Sequence, residues 1–148
     1  MSYLILAFSL IGVTLGTFFQ SQTTRDINQK EIKTLTTQQA IETVHYINAI
    51  NDYRYLHPEV INQSGEMVLT AKQIGITPNS PIQHVIAGNR IFVWQPFLPG
   101  LMAALKTQTR NSALLGKVKN HRLVDNNGVD MQVVVPKRIP DGAIVYLN

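Results

Sequence analysis

No Asp, Glu, Lys, Arg or His occurs before Arg25. Inside that uncharged stretch, Tyr3 to Phe19 reads YLILAFSLIGVTLGTFF, interrupted only by small, hydroxyl and aromatic residues. As a helix rising about 1.5 Å per residue, the run measures about 26 Å, near the lower limit for a bilayer core. Ser2 and Gln20 to Thr24 lengthen it without adding charge. Tyr3 and the Phe18-Phe19 pair stand where interfacial aromatics are favoured. A cleaved secretory signal would need positive residues ahead of the run and a small-x-small site behind it, and neither is present. A helix apolar on every side would otherwise need a large partner surface to bury it. Residues 1–24 therefore read as a single uncleaved membrane anchor. The first cations, Arg25, Lys30 and Lys33, follow the run, but Asp26 and Glu31 accompany them, so charge gives only a weak signal for orientation. Within the run Gly12 and Gly16 form a small-xxx-small step that lets a second helix approach closely, although glycine is also common in membrane helices for no such reason.

Residues 25–39 are rich in Thr and Gln, poor in apolar side chains and free of Pro and Gly. They read as a polar stalk, helical or partly flexible. From residue 40 the pattern changes, and 40–148 reads as a globular domain. Ala40, Ile41, Val44, Ile47, Ile50, Tyr53 and Leu56 recur at three- and four-residue steps and predict a helix with one apolar face. His57-Pro58 ends it. A turn is predicted over 62–65 and a short helix over 69–74, started by Thr70 and stopped by Gly75. His84–Ala87 and Arg90–Gln95 flank Gly88-Asn89 as a hairpin. Pro99 or Gly100 opens a helix reaching about Arg110, with Leu98, Leu101, Met102 and Leu105 along one side. Two β runs, 114–124 and 129–135, are joined by Asp125-Asn126-Asn127-Gly128, and 143–147 forms a last strand. The order predicts an α+β fold in which the anchor extends into a long helix, packed on a small, mostly antiparallel sheet with one further helix.

Cysteine is absent, which excludes a disulfide scaffold, a thiolate metal site and a cysteine nucleophile. His45, His57, His84 and His121 are scattered without metal-binding spacing, and His45 lies among apolar helix neighbours as a packing residue. Gly116-Lys117 superficially matches the end of a phosphate loop, but position 111 is Asn and position 118 is Val. Ser112 with Lys117 would need a desolvated lysine held against the hydroxyl to act as a hydrolase pair, and Ser112 stands where serine is common in turns. Phe92 and Trp94 share one side of their strand, as core residues or as an aromatic docking surface. Gly100, Gly116, Gly128 and Gly142 read as backbone punctuation at element boundaries. These readings imply no enzymatic activity, no cofactor, no metal and no small-molecule substrate.

Charge is unevenly distributed. Residues 106–138 carry Lys106, Arg110, Lys117, Lys119, Arg122, Lys137 and Arg138 against Asp125 and Asp130, a net of +5 in a chain whose total is +4. Lys117 and Lys119 alternate with apolar residues and face one side of their strand. A solvated sheet face explains such a run, and so does a patch for an acidic protein, lipid headgroup or nucleic acid. The absence of any Phe, Tyr or Trp between Lys106 and Arg138 argues against a stacking platform for nucleic acid.

Phe92-Val93-Trp94-Gln95-Pro96, Leu98-Pro99-Gly100-Leu101-Met102-Ala103-Ala104-Leu105, Leu115-Gly116 and the ending Ile139-Pro140-Asp141-Gly142-Ala143-Ile144-Val145-Tyr146-Leu147-Asn148 together resemble the PilM family of conjugative thin (type IVB) pilus systems. The length and the lone N-terminal apolar helix fit that resemblance. It implies a small, non-enzymatic protein of the bacterial inner membrane, working with pilin or other pilus assembly proteins, with the bulk of the chain in the periplasm. It implies no catalytic residue. A minor pilin or pseudopilin is the neighbouring alternative. A processed prepilin, however, has a Gly just before the apolar stretch and a Glu early within it, whereas the first acid here is Asp26. Replacing Gly12 and Gly16 by Ile is expected to weaken helix association in a membrane reporter assay. An unchanged signal would remove helix pairing from the account.

Overall fold

The computed structural model describes the backbone of residues 2–62 and 65–148; the side chains at 2, 4–10, 12, 15, 16, 18, 19, 23, 61 and 62 lie outside the described residues. The predicted turn at 62–65 therefore falls partly outside them. Helix α1 runs Ser2–Leu56, so the polar stretch 25–39 is helical throughout. No Gly or Pro occurs from Thr17 to His57, and nothing local interrupts the ladder until the residue before Pro58. The chain divides into two compact units, Met1–Leu35 and Thr36–Asn148.

In the first unit, threonine hydroxyls donate back to the helix. Thr14 bonds the carbonyl of Ile11, Thr17 those of Val13 and Thr14, and Thr24 that of Gln20, at 2.9 to 3.2 Å. Among the described residues no helix is long and apolar enough to cross a membrane. Most of the apolar run predicted as an anchor, together with the surroundings of Gly12 and Gly16, lies outside the described side chains.

In the second unit seven strands form one sheet with every pairing antiparallel: β1 (Glu66–Met67), β2 (Gln83–Ala87), β3 (Arg90–Gln95), β4 (Leu115–Lys119), β5 (Arg122–Val124), β6 (Asp130–Val134) and β7 (Ile144–Leu147), ordered β1-β2-β3-β7-β4-β5-β6. A 3-10 turn over Pro58–Asn62 and two short helices, α2 (Ala71–Ile74) and α3 (Leu101–Gln108), complete it. Thr70 starts α2 and Gly75 closes it, as the sequence predicts, and Gln73 completes a reciprocal capping box with Thr70. The hairpin also forms as predicted, with Ala87 opposite Arg90. Gly88 supplies the positive φ, 57°, that a tight two-residue turn needs at its first central position.

The buried stripe of α1 within this unit differs from the predicted one. Thr36, Ala40, Thr43, Tyr46, Ile47 and Ile50 are buried, whereas Ile41 and Leu56 are exposed. The stripe admits threonine because the sheet offers it polar partners. Gln95 is 2% exposed, accepts a hydrogen bond from the Gln39 side-chain amide at 2.7 Å and donates one to Thr43 Oγ1 at 3.0 Å. Below this network Tyr46, Ile47 and Ile50 pack on Ile82, Ile86, Ile91 and Val93. Leu101 and Leu105 of α3 pack with Ala40, Leu115 and Ile144 on the same side of the sheet.

The other side of the sheet curls over its own core. Phe92, Trp94, Val118, Leu123, Val133, Val145 and Ile139 form one core, so Phe92 and Trp94 are core residues rather than an exposed docking surface. The single β run predicted over 114–124 is two strands. Asn120 and His121 turn the chain at φ 51° and 55°, a left-handed conformation to which Asn and His are better suited than most residues. Asp141 holds the turn by accepting both backbone N–H groups, at 3.1 and 3.0 Å. Gly116 also departs from its predicted role. It lies inside β4, where a Cβ would stand 2.6 Å from the carbonyl oxygen of Val124 and 2.8 Å from Leu123 Cγ. The missing side chain lets β5 fold over β4. Gly116→Ala is expected to cost about 1–3 kcal/mol through overpacking, read by chemical denaturation of the full chain. Unchanged stability would mean that this approach is not close.

Candidate functional site

Three of the seven cations in the basic region are gathered by strand register. Lys119 lies opposite Arg122, and Lys117 lies opposite Val124, so Lys117, Lys119 and Arg122 share the face of the sheet on which α3 packs. Lys117 and Lys119 are exposed as predicted. Arg122 is held by Asp130 at 2.6 Å, which relieves its repulsion with Lys119. Lys117 Nζ sits 4.6 Å from the centre of the Phe97 ring, so an aromatic from outside the basic segment joins it there. A recess of about 310 Å³ opens beside them, lined by Phe97, Met102, Val124 and Ile144. Lys106 is on α3 and Arg110 follows it at φ 52°. Lys137 and Arg138 instead follow β6 and border the outer edges of the sheet, where Arg138 pairs with Glu66 at 3.4 Å.

Those edges face each other. Residues of β1, β2 and β3 (Glu66, Ala87, Arg90) line a groove of about 590 Å³ with Gln132 to Lys137 at the far edge. A second cleft of about 470 Å³ lies beside β2, lined by Tyr46, Leu69, Gln83, His84, Trp94 and Arg138 among others. Glu66 lines one opening and Arg138 the other, so their ion pair stands between the two.

A profile of the PilM family matches residues 9–147. The chain belongs to the PilM family. A crystal structure of a protein named PilM from Escherichia coli B7A is similar, at 42% identity, covering 78% of this chain and 92% of that chain with a TM-score of 0.67. No match was found among curated proteins. Membership marks a pilus-related protein.

For this PilM-family chain the sequence placed its packing histidine wrongly. His45 is exposed, and His84 is the buried one, at 3% exposure. The backbone N–H of Leu69 donates to His84 Nε2 at 2.9 Å. A backbone amide can only donate, so Nε2 is unprotonated and Nδ1 carries the hydrogen, which points at Tyr46 Oη 2.8 Å away. Burial, reinforced by the charge of Arg138, lowers the His84 pKa to about 4. Protonating Nε2 would also turn it against the Leu69 N–H. No sequence signal distinguished His84 from His45, because its partners come from α1 and the loop before α2. A second lowered group, Glu42, ties α1 to the loop before β2. Its burial is outweighed by hydrogen bonds from Ser80 Oγ and from the backbone N–H groups of Asn79 and Ser80.

Ser112 lies in the turn before β4, where its Oγ accepts the Leu114 N–H at 3.2 Å. Among the described residues no cluster of His, Asp or Glu is arranged to hold a metal.

Because the folded pKa of His84 lies below its unfolded value of 6.5, its contribution to stability is complete above pH 6.5 and is lost as pH falls through 4. The full chain is expected to lose up to about 3 kcal/mol over that window from this group. His84→Gln retains an acceptor for Leu69 and should flatten the profile between pH 6.5 and 4. An equal slope in the variant would contradict the assignment.

Proposed function

We propose that this chain is a membrane-anchored, non-enzymatic component of a conjugative thin (type IV) pilus assembly apparatus, held in the bacterial inner membrane with its C-terminal unit in the periplasm. It works there by contacts with pilin or other pilus proteins. Family membership over residues 9–147 carries the pilus assignment. The anchoring rests on the absence of charge before Arg25 and on Thr14 and Thr17, whose hydroxyls donate to their own helix and so suit an apolar surrounding. The exposed apolar side chains of Tyr3, Ile11 and Val13 in the same segment agree with it. A periplasmic unit is preferred over the weak charge signal because pilus subunits assemble on that side.

One observation favours a second reading, a minor pilin or pseudopilin-like subunit without processing: the C-terminal stretch of a long N-terminal helix packs against an antiparallel sheet. The missing early carboxylate weighs against it, since that group neutralises a neighbouring subunit's terminus in a filament. A third surface, Lys117 and Lys119 with Phe97, suits an anionic partner, and binding there should weaken with added salt.

Membrane fractions are expected to retain the full chain through carbonate extraction, and a phosphatase fused after Asn148 should be active where a fluorescent protein fused there is not. Release by carbonate would overturn the anchoring. A fluorescent, phosphatase-inactive fusion would overturn the orientation.

A further inference from the structure

Beside β2 the sheet has an unfilled place. β1 stops at Met67, opposite Ile86, so among the described residues Gln83, His84 and Val85 have no neighbouring strand on that edge. The cleft of about 470 Å³ lies along this stretch. Exposed strand edges recruit extended segments through backbone hydrogen bonds.

Trp94 and Arg138 bring two donors to the cleft. Trp94 is 9% exposed, and its buried indole N–H has no acceptor among the described residues. A buried unpaired donor costs about 1–3 kcal/mol, and a native structure tolerates one where something outside the chain supplies the acceptor. Arg138 meets Glu66 through Nε at 3.4 Å, and its side chain is about half exposed, at 48%. His84 offers nothing further, since both ring nitrogens are engaged. Two donors, one of them charged, call for an anionic acceptor, and a planar guanidinium is matched by a carboxylate. The Glu66–Arg138 pair stands between this cleft and the neighbouring groove, so an extended segment entering along β2 ends at it.

We propose that the cleft along the β2 edge binds the C-terminal carboxylate of an extended partner polypeptide, with Arg138 and the indole N–H of Trp94 as its anion-binding groups. Main-chain pairing to the β2 edge supplies sequence-tolerant affinity, and the carboxylate fixes where the segment stops. The inference is argued from the C-terminal unit alone and does not depend on the membrane anchoring proposed above.

Trp94 is the only tryptophan of the chain, so its fluorescence reports on the cleft directly. Three probes are titrated into the detergent-solubilised full chain: N-acetyl-Val-Thr-Val-Thr with a free C-terminal carboxylate, the same peptide as its C-terminal amide, and sodium acetate. The acid peptide is expected to change Trp94 emission saturably. The amide should bind at least tenfold more weakly, and acetate should show no saturation over the same range. Arg138→Gln should weaken the acid peptide at least tenfold while leaving the circular dichroism and thermal midpoint in place. Trp94→Phe, read by calorimetry, should weaken it severalfold. Equal binding of acid and amide would overturn the carboxylate, saturation by acetate would overturn the polypeptide source, and silence from all three probes would overturn the site. An Arg138→Gln chain that keeps its fold and its full affinity would also overturn it.

Discussion

The Gln95 amide is buried in β3, and both its partners, Gln39 and Thr43, belong to α1. A buried amide is tolerable only when it is paired, so the helix can sit on this sheet in one register. One turn too far along, Gln95 would keep at most one of the two, because Gln39 and Thr43 are themselves a turn apart, while the apolar contacts of Ile47 and Ile50 remained available elsewhere. The hydrophobic stripe supplies the attraction and the polar network chooses the position. The same division recurs about one turn further along α1, where Tyr46 meets the buried His84 among isoleucines and valines.

From that lock the remainder follows in sequence. With one side of β3 covered by α1, its other side, Phe92 and Trp94, needs cover of its own. No helix provides it, so the sheet curls. Gly116 permits β5 to come down on β4, the Asn120-His121 turn reverses the chain, and Leu123, Val133 and Ile139 close over the aromatics. The curl stops short of closing, and the two outer edges are left facing one another across the Glu66–Arg138 pair. An incompletely closed sheet leaves strand edges and a basic face exposed. The uncovered strand face beside α3, with Lys117 over Phe97, is a separate surface with different chemistry.

What the sequence made legible was local. Thr70 and Gly75 announced α2, Gly88-Asn89 announced the hairpin, and Pro58 announced the end of α1, because each acts within a few residues of itself. The α+β class and the packing of a long helix on an antiparallel sheet followed from the change of period. The two-residue turn at Asn120-His121 was missed because neither residue is a strong breaker, and the Asp141 that holds it comes some twenty residues later. β1 was missed because two residues carry no period. The central place of β7, between β3 and β4, has no local signature at all. At the candidate site, the exposure of Lys117 and Lys119 was readable from alternation. The orphaned Trp94 N–H and the engaged His84 were not, since a partner, or the lack of one, is a tertiary fact. The PilM relationship was legible because it rests on runs of turn and strand residues along the chain.

The central claim is that residues 36–56 of α1 and strands β3 and β7 form one cooperative structure, registered by Gln95. Native-state hydrogen exchange of the full chain tests it most directly. Amides of Ala40 to Ile50 should exchange with the same opening free energy as those of Ile91 to Gln95 and Val145 to Leu147, and Gln95→Ala should lower all three sets together. Were the α1 amides to exchange well before the strands, or were Gln95→Ala to leave the helix protected while the sheet loosened, the helix would be a loosely docked cover and the account would fail.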